Sequence, residues 1–158
     1  MPHFPVNHPA RPLYRLLSGL IGVYILVFGV WGVAETIGDP LFARSSTWAL
    51  GLRTNLAFSL ASVVFGIVLI IGASRRTNLG HYMNLTAGAV FLVTSILMMS
   101  VLQTEANFLN FSMSTVVVSM LFGLILLGTG LYDKVGPPER AEAERERRRH
   151  PVADVHRR

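Results

Sequence analysis

The chain has 158 residues, 51% of them hydrophobic and only 15% charged, where a soluble domain usually carries about a quarter charged residues. Eight of the fourteen Lys and Arg residues follow Tyr132, so the net charge of +5 sits at the ends and in one loop around a long apolar body. Basic residues flanking apolar runs read as determinants of membrane orientation rather than as a nucleic-acid surface, and the lack of cysteine excludes disulfides, thiolate catalysis and Cys-ligated zinc.

Residues 1–12 carry prolines at 2, 5, 9 and 12, which argues for an extended N-terminal arm. His3 and His8 lie in it without a third ligand at useful spacing, so they read as solvated rather than metal-binding. A helix rises 1.5 Å per residue and the hydrocarbon core is about 30 Å thick, so about 20 apolar residues are needed to cross. The first run without Asp, Glu, Lys or Arg, Leu16 to Ala34, has 19 residues. Val33-Ala34-Glu35 is a poor small-x-small cleavage site, so this run is expected to stay as a span. The run Thr54 to Ser74 has 21 residues, Thr77 to Thr104 has 28 and Ala106 to Tyr132 has 27. Spans are predicted near 13–36, 54–74, 82–103 and 110–132. A soluble bundle would need a charged face on each helix, and the run from Thr54 to Gly72 has none at any spacing.

The predicted fold class is therefore all-α: a polytopic membrane protein with four transmembrane helices in a bundle and both termini cytoplasmic. Arg11, Arg15, Arg75, Arg76 and the basic tail fall on one side, against only Arg44 and Arg53 on the other. Tyr14, Tyr82 and Tyr132 mark inner span ends, while Trp31 and Trp48 lie towards the outer side. The loop from Ile37 to Arg53 carries the turn signal Gly38-Asp39-Pro40, and Trp48 and Leu50 are placed on the outer membrane surface. The outer loop at Gln103 to Asn107 is expected to be tight. Residues 137–158 form a charged cytoplasmic tail. Its segment Glu139 to Arg149 is predicted helical with acids first and arginines last, and disorder is expected beyond Pro151.

Spans one-two and three-four resemble each other weakly. Phe65-Gly66 matches Phe122-Gly123, Ser62 matches Ser119, and Glu35 and Glu105 each end a first helix. A parallel repeat about an axis along the membrane normal would give this pattern, and so would chance similarity between apolar sequences.

No ionisable side chain falls at mid-depth in any span, where transporters and redox proteins keep such groups. His81 reads as interfacial and the methionines as packing residues. No catalytic residue, cofactor or metal site is expected. Small residues form stripes, Ser59, Ser62 and Gly66 on span two and Ser112, Thr115, Ser119 and Gly123 on span four, of the kind that lets helices approach closely. They would bind the chain's own helices or a partner's. The outer ends hold Glu35, Asp39, Arg44, Arg53, Asn55, Gln103, Glu105, Asn107 and Asn110. A cluster of Glu35, Arg53 and Glu105 with Asn55 is expected there as a structural clamp, since two carboxylates without a metal or nucleophile are a weak signal for hydrolysis.

Arg11-Pro-Leu-Tyr-Arg15, Thr47-Trp-Ala-Leu-Gly-Leu-Arg-Thr-Asn55, Asn107-Phe-Leu-Asn-Phe-Ser-Met113 and Tyr132-Asp-Lys-Val-Gly136 resemble an actinobacterial family of small four-span membrane proteins, domain of unknown function 4383. The resemblance covers about residues 10–136. It implies a bacterial inner-membrane location and supplies no catalytic residue. The leading expectation is a non-catalytic scaffold or accessory subunit whose partners are the lipid bilayer and another membrane protein or itself, with no nucleic acid. The alternative is a small transporter or lipid-binding protein with a pocket between the helix pairs, lined by Ser62, Ser119, Thr115 and Asn55. A membrane enzyme using Glu35 and Glu105 is the third reading.

Overall fold

The computed structural model describes residues 8–75 and 77–137, with 139, 142 and 146. Most of the proline-rich arm, Arg76 and most of the charged tail, including most of the segment predicted helical and everything beyond Pro151, lie outside the described residues. Helix α1 spans Arg11–Thr36. It starts earlier than the prolines suggested, because Pro12 falls in the first turn, where its missing N–H and fixed φ do no harm. Helix α2, Leu56–Ser74, begins where Asn55 accepts the Phe58 N–H at 2.9 Å. Helix α3 is Leu79–Ser100 and helix α4 Met113–Tyr132. Both differ from the predicted bounds near 82–103 and 110–132, and α4 starts later because Asn110 takes a left-handed φ of 55° that stops a helix from starting there. Ser112 caps α4 instead. The connection expected to be tight therefore runs over 101–112.

The connection between α1 and α2 holds an element with no sequence signal, a hairpin of strands β1 (Trp48–Ala49) and β2 (Leu52–Arg53). Its turn residues Leu50 and Gly51 both have positive φ, 48° and 78°, as a two-residue type I′ turn requires. The usual Asn-Gly cue is replaced by Leu-Gly. Ala49 and Leu52 are buried against Phe28, with Tyr24, Phe58 and Val118 around them.

All four helices are long and apolar enough to cross a membrane. Their outer faces carry exposed Leu16, Val30, Val64, Val93 and Leu124, more apolar surface than water tolerates. Helix α1 packs along α2 and α3 along α4, and the two hairpins meet through narrower α2–α3 and α1–α4 seams. The start of α1 and the end of α4 lie at one end of the bundle, the terminal end, and the connections 37–55 and 101–112 close the other, the hairpin end.

One register relates matching contacts in the two halves. Gly66 lies against Leu26 as Gly123 lies against Leu92, and Gly22 against Ile70 as Gly88 against Leu127. Arg15 donates to the Ala73 carbonyl as His81 donates to that of Gly130. Leu69 and its counterpart Leu126 are both fully buried in the central core. Ser18 and Asn84, equivalent positions, meet each other through a hydrogen bond from Ser18 Oγ to Asn84 Oδ1, which marks the pseudo-twofold axis between α1 and α3. The matches Ser62/Ser119, Phe65/Phe122 and Gly66/Gly123 hold in this register. Glu35/Glu105 does not, for the register sets Val101 opposite Glu35.

Candidate functional site

Asparagines hold the hairpin end together. Asn55 is fully buried, and besides capping α2 its Nδ2 donates to the Phe108 carbonyl at 2.7 Å. Asn110 Nδ2 donates to the carbonyls of Ser45 and Thr54 at 2.7 and 2.8 Å. Asn107 accepts the Phe111 N–H at 2.9 Å and donates to Leu102 and Phe111. Such bonds satisfy backbone groups that would otherwise be costly to bury. Thr115 Oγ1 pairs with both the N–H and the carbonyl of Arg53, tying β2 to α4.

The expected Glu35–Arg53–Glu105 cluster does not assemble. Arg53 Nε donates to the Ser45 carbonyl at 3.2 Å and its Nη2 faces the Arg44 carbonyl. Glu105 pairs with Arg44 on the surface, and Glu35 is exposed without an ion pair among the described residues. Their carboxylates are exposed, so neither sits in a dry pocket suited to acid–base work. Arg44 was the better partner for Glu105 because both lie on connections that fold over the same end.

Apart from Ser119, the small-residue stripes are spent inside the chain. Ser59 is buried against Gly32, with its hydroxyl 2.8 Å from that of Thr54. Ser62 donates to the Phe58 carbonyl at 2.8 Å. Gly66 and Gly123 allow the α1–α2 and α3–α4 approaches, and the Ser112 side chain caps α4.

At the terminal end, Arg11 bridges to Asp133 at 2.7 Å and so ties the start of α1 to the end of α4. Arg15 and His81 bond the last-turn carbonyls of α2 and α4, as basic side chains do at helix C-termini. His81 was expected at the interface and is instead buried, its Nδ1 donating to Gly130 O at 2.6 Å. His8, expected in a solvated arm, packs against Tyr14 and Tyr132 at 5.6 and 5.7 Å. Sequence reading missed Ser18 and Asn84, although an amide within an apolar run was the available signal. No group of His, Asp and Glu suited to a metal exists among the described residues.

Two hollows open where the halves differ. Gly19 faces Ala73, whereas its counterpart Leu85 fills the equivalent place against Gly130. The result is a groove of about 470 Å³ on the membrane-facing side of α1 and α2, bordered by Arg15, Leu16, Leu20, Ile70 and Ser74. In the α1–α4 seam Phe28 is buried, while its counterpart Thr94 leaves a recess of about 110 Å³ in the α2–α3 seam. Ser62, Phe65, Phe91 and Ser119 line that recess with Thr94, and the exposed Ala61 and Val90 stand at its mouth.

The fold is that of a multi-pass membrane protein, an all-helical bundle of four apolar spans with internal twofold pseudosymmetry. The family profile described as a domain of unknown function (DUF4383) matches residues 15–132, and the chain belongs to this family. No curated protein and no solved structure matches it.

Proposed function

We propose that this chain is a non-catalytic accessory or scaffold subunit of a bacterial inner membrane, docking another membrane protein or a second copy of itself through the groove at Gly19. The observation that carries this reading is the groove itself. A floor of Gly19 and Ala73 beside apolar walls is what a ridge of another helix needs for close approach in lipid. The basic residues gathered around the terminal end support cytoplasmic termini. The test is the particle mass after extraction from native membranes in mild detergent. The protein should run as a complex, and Gly19→Leu, which copies Leu85 of the other half, should release the monomer. Monomers from both proteins would end this reading.

A lipid-binding role is the second reading, favoured by the recess between α2 and α3. Its inner floor is Phe65 and Phe91, which meet edge to face at 5.7 Å. Such a floor makes a blind pocket, which favours binding over transport. Of the residues expected to line it, Ser62 and Ser119 do so, whereas Thr115 and Asn55 are engaged in the hairpin-end ties.

A further inference from the structure

The recess has one feature that simple lipid filling does not explain. Ser62, Thr94 and Ser119 each stand six residues from the hairpin end of their helix, so at 1.5 Å per residue their hydroxyls share one level about 9 Å into the span. The Ser62 hydroxyl is used, donating to Phe58 O. Ser119 is 5% exposed, lines the recess, and its hydroxyl has no hydrogen-bond partner among the described residues. The Thr94 hydroxyl, on a half-buried residue, likewise has no hydrogen-bond partner among the described residues. A serine in a span ordinarily returns its hydroxyl to its own helix, as Ser62 does, because an unpaired hydroxyl in apolar surroundings is costly. The surrounding walls are Phe58, Phe65, Val90, Phe91 and Phe111. The recess, about 110 Å³, is somewhat smaller than the roughly 150 Å³ cavity that holds benzene in an apolar interior. Its mouth lies on the membrane-facing surface, so a larger molecule enters by one end and leaves the rest in the bilayer. In the α1–α4 seam Phe28 takes up this same place from within the chain.

We propose that the α2–α3 recess binds, from the bilayer, an apolar ring or chain end carrying one hydrogen-bonding oxygen, recognised by the Ser119 hydroxyl with Thr94 beside it. The inference rests on the lipid-binding reading and is independent of the groove at Gly19. The test uses the full chain in vesicles of phosphatidylethanolamine and phosphatidylglycerol, with a photoreactive trifluoromethyl-diazirinyl benzyl alcohol as probe. Its hydroxyl-free toluene analogue is the control, and adducts are mapped by peptide mass. The alcohol should label the peptides around Ala61 and Val90 in a saturable way and exceed the analogue by about two- to tenfold, the worth of one neutral hydrogen bond. Ser119→Ala should remove that preference and leave the analogue's labelling unchanged. Thr94→Phe, which copies Phe28, should abolish seam labelling by either probe while raising the melting temperature. Val90→Trp blocks the mouth should Thr94→Phe not fold. Seam labelling equal for the two probes overturns the oxygen recognition alone. Labelling spread evenly over all lipid-facing helices overturns the lipid-binding reading with it.

Discussion

Gly66→Ala is expected to be among the most damaging single-methyl changes in the protein, together with Gly29→Ala, whose Cβ would lie 2.6 Å from the Val63 backbone nitrogen. A Cβ at Gly66 would lie 2.6 Å from the Leu26 backbone nitrogen and 2.8 Å from its Cα. No side-chain rotation relieves a clash with backbone, so α1 and α2 must part by most of an ångström. A gap of 0.5–1 Å forfeits roughly a quarter to a half of each dispersion contact, and α1–α2 is one of the two main helix interfaces. Overpacking costs typically about 1–3 kcal/mol, and the upper end, about 3 kcal/mol, is expected here. At the equivalent Gly123 the nearest atom is Leu92 Cγ at 2.7 Å, with the backbone nitrogen at 3.0 Å. That side chain can yield, so Gly123→Ala should lose only about 1–2 kcal/mol. Gly128 has nothing within 4 Å of its Cβ position, so Gly128→Ala should be neutral or stabilise by up to about 1 kcal/mol through helix propensity. Reversible unfolding of the three variants by dodecyl sulfate in mixed micelles, followed by circular dichroism, gives the order directly. Losses of equal size at Gly66 and Gly128 would refute the close-packing account.

At the hairpin end, Asn110→Gly should cost less than Asn110→Ala by about 1–2 kcal/mol, because only the alanine adds a left-handed backbone penalty to the lost amide bonds; limited proteolysis of the connections checks this. At the terminal end, His81→Ala should destabilise by about 1–3 kcal/mol through the orphaned Gly130 carbonyl. Arg15→Ala should cost less, since Arg15 is only half-buried and water can replace it; melting of the two variants in detergent compares them. Glu35→Gln and Glu105→Gln should leave melting temperature and membrane protein level unchanged, as both carboxylates are exposed, and a fall in level with either would restore the clamp.

The spans were legible because a bilayer admits few solutions to a long run without charges. Their ends were not, since they depend on where single asparagines bond. Asn55 caps a helix, whereas Asn110 takes a left-handed turn to reach Ser45 and Thr54, and nothing in composition separates the two. The Glu35–Arg53–Glu105 cluster failed for a related reason. Residues at the same depth need not be neighbours, and the β-hairpin turns Arg53 onto its own loop. The stripes on α2 and α4 left open whether they serve the chain's own helices or a partner's, and the contacts of Gly66 with Leu26 and of Gly123 with Leu92 turn these glycines inward. The register between the halves exposed what the stripes concealed, for the two hollows lie where Gly19 departs from Leu85 and Thr94 from Phe28.

The docking role is tested most directly at Leu20, on the wall of the groove. A photocrosslinking amino acid placed there in native membranes should give one discrete higher-mass adduct, lost with Gly19→Leu, while the same group at Val64 or Leu124 gives none. No adduct at Leu20, or equal adducts at all three positions, would contradict the assignment of the groove as the contact surface.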